Sequence, residues 1–556
     1  MIGAMGPGRR GRTLLALLSA GFAVVSLSWC LHDLGRVGVT WDEPMYMAAA
    51  DRIQGWAGRV VEGPDRAGAL GDSTIQAVFD WKHYWNPHPP AFREAMALTG
   101  WLTGPVLGRV EGYRLASVVW MALLAGLLAW CAGRAWGVAG CVGAGAALLT
   151  MPRLLGHAHV AATDMPLTFF WFLGTVGALG YARTGRRAWL AAGAVGLGLA
   201  LATKFTGYLW PAPAVAWVIL DRRARRRWRG LLVLATLGVV VAWLVNPLAW
   251  HHPIGYVQHL VHDSLDRSSV IPISTYYVGR IYGFVVPWHE AIVMTLITLP
   301  IATLALGGMG IGAGLRRRAG EGQCLHGSEW GGERGERDPL VLASVIEVAF
   351  FWALLALPSS PNHDGVRLFL PMFPFVALLA GRGFSFGVGR LRSGVPARWR
   401  TAAVTAFGLL LFGPATVQAA SASPFYLAYY GESIGGARGA ARRGMEATYW
   451  YDALSPDFLE RVNRLLPRGA TVSTFPQSDH FVELQDWGVL RSDLHFTESF
   501  PAPYVLLYAR KALFHPEQWT LYRRVKPVIA VRYQGVELAG LYVWSRKAFE
   551  KLETEP

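Results

Sequence analysis

Two adjacent carboxylates, Asp42 and Glu43, lie just beyond the first long apolar run of this 556-residue chain. Ionisable groups at a membrane edge are energetically costly, and they therefore often mark functional sites. A carboxylate there can act as a general base that takes the proton of an attacking hydroxyl group. The alternative is a helix cap, because acidic residues also stabilise the N-terminal end of a helix such as one beginning near Pro44. We take this pair as the first candidate site residues.

Further candidate residues lie beside later apolar runs; in chain order they are His88, Asp164, Lys204 and Arg367. A carboxylate, a histidine and two cations are thus expected on the same side of the membrane as Asp42. Each residue also has a structural alternative. Asp164 can be a helix N-cap, His88 can belong to a turn before Pro89, and the two cations can reach toward lipid headgroups.

Four other histidines suggest a metal site, because neutral imidazole is a good zinc ligand. They are His157, His159, His251 and His252. Residues two apart on a helix point to opposite faces, so the first pair can converge only in a loop or a strand. A divalent metal therefore stays open as a cofactor, and its ligands are left unassigned.

The elements that must position these residues are membrane helices. The chain is 53% hydrophobic and only 16% charged, whereas soluble domains contain about 25% charged residues. Repeated apolar runs of about 18–22 residues predict a multi-span helical membrane protein. We predict about eleven transmembrane helices, near residues 13–32, 113–133, 137–152, 164–182, 188–203, 206–220, 230–248, 288–312, 339–357, 366–384 and 401–420.

The positive charge is concentrated in alternate loops between these helices. The formal net charge is +15, and arginine clusters such as 222–229 and 390–400 fall on one side. This distribution follows the positive-inside rule and differs from the continuous basic surface of a nucleic-acid-binding protein. We therefore predict a multi-pass protein of a bacterial inner or plasma membrane, with a cytoplasmic N-terminus and no nucleic-acid partner. The candidate site residues and the C-terminal region are expected outside.

Two domains are expected. Residues 1–420 form a transmembrane catalytic domain with a first outer loop at 33–112, and residues 421–556 form a small extracytoplasmic α/β domain. In the latter, Ser455 is predicted to precede a helix, and strands are predicted at 471–475, 504–508, 528–533 and 541–544. The Gly-rich stretch 320–338 is expected to be a cytoplasmic loop. The predicted fold class is mainly α, a polytopic helical bundle with a C-terminal α/β domain.

The order of several motifs along the chain resembles a known family. These motifs are Asp42-Glu43, His88-Pro89-Pro90, Thr163-Asp164-Met165-Pro166, Thr203-Lys204-Phe205-Thr206-Gly207, and Arg367 ahead of Pro371. Together they resemble the GT-C glycosyltransferases, and most closely glycosyltransferase family 39, which includes protein O-mannosyltransferases and the aminoarabinose transferases of lipid A. The resemblance covers the whole membrane region. The chain departs from the aminoarabinose transferases at Pro87 and His88, where those enzymes have an acidic residue and a lysine.

The resemblance implies an inverting transfer of a sugar from a polyprenyl-phosphate donor to a protein, lipid or glycan acceptor outside the cytoplasm. Such a displacement needs a carboxylate base for the acceptor proton and cations for the leaving phosphate. Asp42 is then the predicted base, and Glu43 and Asp164 are catalytic or orienting residues. The predicted donor-phosphate ligands are Lys204, Arg367 and His88. Other classes of protein also stay open. The chain could be a transporter or flippase of lipid-linked saccharides, or a polymerase of them.

Overall fold

The computed structural model describes residues 9–83, 86–265, 273–315, 337–500 and 502–544. Within these ranges the chain is mainly helical, and one five-stranded sheet forms between residues 471 and 543. Nearly all of the loop predicted at 320–338 lies outside the described residues.

Five of the described helices are long and apolar enough to cross a membrane: Arg10–Asp33, Arg109–Leu149, Asp164–Thr184, Arg367–Gly394 and Ala397–Ser421. A further pair, Glu290–Thr298 and Ile301–Leu315, passes this test only when joined, and its two halves meet at an angle of 114°. Shorter apolar helices are Arg187–Leu201, Phe205–Leu220, Trp228–Leu244 and Pro339–Leu355. By length and composition, this set of helices is that of an integral membrane protein.

Helical structure occupies each of the predicted membrane positions, but three of the predicted helices differ in how they are divided. The helices predicted at 113–133 and 137–152 form one element, Arg109–Leu149, in which the backbone departs from helical geometry at Gly137 (φ 75°, ψ −168°). Glycine tolerates this positive φ because it lacks a Cβ atom. The helix predicted at 288–312 is the bent pair. The number of membrane crossings therefore stays a prediction.

Small residues let two of these helices pack with their backbones in close contact. A Cβ atom placed on Gly310 would collide with the carbonyl group of Leu379, and one on Gly383 would collide with the carbonyl group of Leu306. Helix pairs in membranes associate through such close approaches, because lipid gives them little hydrophobic driving force. The helix Ile301–Leu315 is thereby held against Arg367–Gly394, whose first residue belongs to the candidate site.

The segment 33–112, predicted as the first outer loop, is largely helical. Its helices are Glu43–Glu62, Arg66–Ala69, Asp72–Phe79 and Ala91–Leu107. The last of them exposes a row of large apolar side chains spaced three or four residues apart, namely Leu98, Trp101, Leu102 and Val106. This spacing places them on one helical face, as in helices that lie on a membrane surface.

Shorter elements connect the membrane helices. The α-helices among them are Pro152–Ala158, Arg222–Arg226, Pro253–Leu265 and Gly436–Arg442. The 3₁₀ helices are Phe205–Leu209, Pro247–Ala249, Arg367–Met372, Ala397–Trp399, Tyr426–Ala428, Glu432–Ile434 and Lys511–Leu513. A small antiparallel hairpin joins β1 (Thr275–Tyr277) to β2 (Arg280–Tyr282).

The C-terminal region contains a mixed sheet of five strands: β3 (Thr471–Phe475), β4 (His495–Thr497), β5 (Tyr504–Tyr508), β6 (Ile529–Tyr533) and β7 (Val536–Val543). Their order across the sheet is β4-β3-β5-β7-β6. β3 pairs in parallel with β4 and β5, whereas β7 pairs antiparallel with β5 and β6. The accompanying helices are Pro456–Leu465, Asp479–Asp486 and Pro516–Arg524. Strands occur at all four predicted positions, and a helix begins directly after Ser455.

The close helix contact predicts a position-specific effect of added side-chain volume. The Gly310→Val substitution should destabilise the protein by about 1–3 kcal/mol, because the new atoms meet the backbone of the partner helix. Gly312 lies on the same helix, and a Cβ atom there meets nothing within 4 Å, so Gly312→Val is the matched control. Thermal unfolding in detergent should show a lower melting temperature for the first variant alone. Equal melting temperatures for the two variants would contradict the predicted packing.

Candidate active site

Four charged side chains meet where helical elements begin and form what we call the charge cluster: Asp42, Asp164, Lys204 and Arg367. Arg367 Nη2 lies 2.5 Å from Asp42 Oδ2, and Arg367 Nε lies 2.8 Å from Asp164 Oδ2. The Lys204 ammonium group pairs with the second carboxylate oxygen of Asp164. The structure thus brings together four of the six predicted site residues, two acidic and two basic.

The start of a helical element positions each member of the charge cluster. Asp42 immediately precedes the helix Glu43–Glu62, and Asp164 is the first residue of Asp164–Thr184. Lys204 precedes one 3₁₀ helix, and Arg367 begins another. Asp42 occupies the N-cap position of its helix, but among the described contacts its side chain makes no capping hydrogen bond. Its carboxylate is directed to Arg367 instead.

Exposure distinguishes the carboxylates of the site. The Asp42 side chain is 26% exposed, whereas that of Asp164 is 1% exposed. A base must reach the proton that it removes, so the geometry favours Asp42 for contact with an incoming molecule. Asp164 is enclosed by the two cations, and its position suits it to hold them at a fixed separation.

Glu43 points away from the charge cluster and is fully buried. Its two carboxylate oxygens accept hydrogen bonds from Arg114, at 2.7 Å from Nε and 2.8 Å from Nη2. The backbone N–H groups of Thr40 and Ala161 each donate to Glu43 at 2.8 Å. Arg114 also donates to three backbone carbonyl groups of the preceding loop, those of Leu34, Val37 and Gly38. These contacts fix the loop that carries Asp42.

Aromatic and imidazole rings enclose the cluster on one side. The Arg367 guanidinium lies over the Trp450 ring, 4.2 Å from its centroid, a distance at which a cation is attracted to the ring face. His157 Nδ1 lies 4.0 Å from Asp164 Oδ2, and the His157 ring packs at 5.5 Å from Trp450. Burial lowers the pKa of His157 to about 4. The imidazole is therefore neutral at neutral pH and adds no third positive charge beside Asp164.

His88 packs against Phe205, the residue that follows Lys204 in the chain. The two rings meet edge-on, with centroids 4.9 Å apart, and the His88 carbonyl group accepts a hydrogen bond from Arg93. His88 also lines a cavity of about 180 Å³ that extends toward the helix Pro253–Leu265. Phosphate binding by His88 stays a prediction.

The four histidines considered for a metal site have separate surroundings. His157 faces Asp164, His159 hydrogen-bonds the Leu155 carbonyl group, His251 contacts the Leu70 carbonyl group, and His252 faces Asp72. A different group of three residues could hold a metal ion: the ligand atoms of His83, His259 and Asp263 lie within 4.8 Å of one another. Two imidazoles and a carboxylate suit zinc.

Sequence reasoning did not assign roles to three residues that contact the cluster or its neighbours: Asp364, Trp450 and Arg510. Asp364 lies in the loop before Arg367, at 3.5 Å from its guanidinium, and it has a positive φ of 57°. An acidic residue followed by glycine in an outer loop was visible in the sequence. The other two lie far along the chain, and no local pattern connects them to Asp42.

Residues 88–251 match the family model described as dolichyl-phosphate-mannose-protein mannosyltransferase. The predicted resemblance to this family is confirmed for the matched segment. The matched segment contains His88, Asp164 and Lys204, and it ends before Arg367. The matched segment thus contains three of the predicted site residues, and in the structure Asp42 and Arg367 join two of these, Asp164 and Lys204, in the charge cluster.

Solved structures of GT-C enzymes are similar at low identity. ArnT from Cupriavidus metallidurans bound to undecaprenyl phosphate is 15% identical, with a TM-score of 0.45 over 95% of this chain and 98% of that one. Its apo state is 15% identical, with a TM-score of 0.49 over 94% and 97%. The oligosaccharyltransferase AglB from Archaeoglobus fulgidus, in complex with an inhibitory peptide and a dolichol-phosphate, is 13% identical, with a TM-score of 0.46 over 89% and 69%. A search of curated proteins gave no match.

The buried Glu43–Arg114 pair predicts a large effect on stability. Glu43→Ala should lower the free energy of unfolding by about 3–5 kcal/mol, because it leaves a buried guanidinium without its carboxylate. Asp42→Asn is the matched comparison, since the neighbouring side chain is partly exposed and should leave the melting temperature nearly unchanged. Thermal unfolding of the two variants in detergent tests this contrast. Equal melting temperatures would show that the pair does not hold the loop.

The pairing of His83 predicts a pH effect on stability. Hydrogen bonds to Asp80 and Asp263 raise the pKa of His83 to about 9, from about 6.5 in an unfolded chain. The resulting stabilisation is fully present below pH 6.5 and is lost as the pH rises through 9. The melting temperature of the wild type should therefore fall more between pH 6.5 and 9.5 than that of His83→Gln. The exposed His252 provides a control, His252→Gln, which should follow the wild type; parallel curves for all three proteins would contradict the prediction.

Proposed function

We propose that this protein is an inverting glycosyltransferase that moves a sugar from a polyprenyl-phosphate donor to an acceptor outside the cytoplasm. The observation that carries the proposal is the charge cluster: a partly exposed carboxylate, Asp42, hydrogen-bonded to Arg367, with Lys204 held beside them through Asp164. The family model that matches residues 88–251 is described by a dolichyl-phosphate sugar, which supports a lipid-phosphate donor.

In the proposed reaction, an acceptor hydroxyl oxygen attacks the anomeric carbon of the donor sugar. Its proton passes to a carboxylate oxygen of Asp42 as the new bond forms, and the bond from the anomeric carbon to the phosphate oxygen breaks. The products are the glycosylated acceptor and the polyprenyl phosphate. A single displacement of this kind inverts the configuration at the anomeric carbon.

In this proposal Arg367 contacts both the base and the leaving phosphate, and it therefore links proton transfer to departure of the phosphate. Before transfer, the two cations of the charge cluster are balanced by the two carboxylates, Asp42 and Asp164. When Asp42 takes the proton it loses its negative charge, and Arg367 Nη2 is then available to the leaving phosphate at the moment when the phosphate gains charge. Interactions that strengthen as the reaction proceeds lower the barrier, whereas equal binding of substrate and transition state does not.

The other side chains have supporting roles in this proposal. Asp164 keeps Lys204 and Arg367 in place for the phosphate, a preorganisation that avoids rearrangement during the reaction. Glu43 orients the loop of Asp42 through its pair with Arg114. His88 is proposed as a further phosphate ligand at the edge of the adjoining cavity, and no step passes through a metal ion.

The proposed topology follows from the charge distribution of the loops. The N-terminus is cytoplasmic, and the charge cluster and residues 421–556 lie outside, where residues 421–556 form a small α/β domain beside the transmembrane catalytic domain 1–420. The acceptor is a protein, lipid or glycan, and the sugar is a hexose or pentose.

Purified protein in liposomes with a labelled polyprenyl-phosphate sugar tests the proposal. Asp42→Asn should fold normally and lose about 10²–10⁴-fold in transfer rate, because the amide cannot accept the acceptor proton. Asp72→Asn is a control from the same outer loop, with a side chain that is 44% exposed, and it should transfer at the wild-type rate.

The products distinguish the alternatives. Movement of intact donor across the bilayer without sugar transfer would identify a transporter or flippase and overturn the proposal, and long products that retain the lipid would identify a polymerase. Wild-type rates in Asp42→Asn would exclude this residue as the base.

A further inference from the structure

Part of the C-terminal region covers the charge cluster directly. Residues Tyr449–Asp452, here called the covering segment, run beside the loop that carries Asp42. The Trp41 N–H group donates to the Trp450 carbonyl group at 3.1 Å, and the Gly38 N–H group donates to the Asp452 carbonyl group at 3.0 Å. Trp41 also stacks on Tyr451, with ring centroids 5.3 Å apart. The covering segment is thus attached to the loop that carries Asp42 by backbone hydrogen bonds and by ring stacking.

A second connection begins at the end of strand β5. Arg510 Nη1 donates to the carbonyl group of Tyr449 at 2.8 Å, and Nη2 lies 3.0 Å from Asp364 Oδ1. The other carboxylate oxygen of Asp364 lies 3.5 Å from Arg367 Nη1. All three charged side chains are at most 8% exposed. A continuous path of buried charges therefore leads from the C-terminal sheet to the charge cluster.

Charge balance along this path depends on Arg510. Burial by itself raises the pKa of Asp364, but the adjacent Arg510 guanidinium, with His363 and Arg367, holds this pKa well below its usual range. Asp364 therefore carries a full negative charge. Without Arg510, that charge would be balanced by His363 and Arg367 alone. Arg367 would then be drawn toward Asp364, and its contacts with Asp42 and Asp164 would weaken.

We propose that Arg510 is a positioning residue for transfer, acting through Asp364 to hold Arg367 between Asp42 and the donor phosphate. The C-terminal region is then part of the catalytic assembly rather than a separate module that only selects the acceptor. This inference rests on the proposed function in one respect, namely that Arg367 contacts the donor phosphate. It assigns a role to residues that no motif in the membrane region contains.

A positioning role and a purely structural role of Arg510 predict different behaviour of the folded protein. If Arg510 only attached the C-terminal region, its loss would lower the melting temperature and leave the turnover of folded molecules unchanged. If it positions Arg367, its loss changes kinetics and phosphate binding in protein that remains folded. Measurements on monodisperse, folded fractions below the melting temperature therefore separate the two cases.

The test uses the full-length variants Arg510→Met, Arg510→Lys and Asp364→Asn, with Arg532→Met as control. Arg532 lies on strand β6, and its side chain is 54% exposed, so its loss should change nothing. Arg510→Met should lower kcat at least 10-fold, with a smaller loss in Arg510→Lys, which keeps a positive charge but not the planar fork. The Asp364→Asn/Arg510→Met double variant should be no slower than the slower single variant, because both act along one path.

Binding of polyprenyl phosphate, followed through tryptophan fluorescence in detergent, provides a second measurement. Arg510→Met should bind this lipid at least 10-fold more weakly than the wild type does. Wild-type kcat and wild-type lipid binding in folded Arg510→Met would overturn the inference. If that variant does not fold, the same results for Asp364→Asn would overturn it.

Different results would refute the proposed function and the positioning role of Arg510. Absence of sugar transfer by the wild type would refute the proposed function, and lipid binding would then still decide the role of Arg510. Normal transfer by the wild type together with unchanged Arg510→Met and Asp364→Asn would refute only the positioning role.

Discussion

The site depends on the way one buried guanidinium is shared among carboxylates. Arg367 contacts Asp42, Asp164 and Asp364 through different nitrogens, and its flat face lies on Trp450. A buried cation is stable only when its charge and its hydrogen-bond donors are satisfied. The planar fork of arginine can meet several acceptors in one plane, which a lysine ammonium at this position would not do. The outer ends of several separate helices are therefore constrained to meet at one point.

The residues of the charge cluster could be predicted from the sequence because Asp42, Asp164, Lys204 and Arg367 stand at the ends of apolar runs. A charged side chain is energetically costly there. The distribution of positive charge among the loops predicted that all four lie on the same side of the membrane. Their contacts with one another bridge up to 325 positions, yet a shared membrane face was enough to expect them together. Helix positions could be predicted for the same reason, since a bilayer imposes a length on each apolar run.

The parts that could not be predicted depend on tertiary packing. Glu43 was predicted to be catalytic or orienting, but its sequence position did not show that it turns toward Arg114, a charged residue inside a long helix. Residues 134–136 were predicted to connect two helices, and instead Arg109–Leu149 is one element with a local break at Gly137. The roles of Trp450 and Arg510 require knowing where a soluble-type sheet rests on the membrane region, and strand patterns contain no such information.

The covering segment has a consequence for biosynthesis. Asp42 is synthesised and reaches the membrane long before Trp450 and Arg510, which lie against the same site in the folded chain. Throughout that interval, the loop that carries Asp42 lacks the backbone hydrogen bonds and ring stacking that the covering segment supplies. Assembly of the site is therefore completed late, only after the region that contributes Trp450 and Arg510 has been synthesised and has folded against this loop.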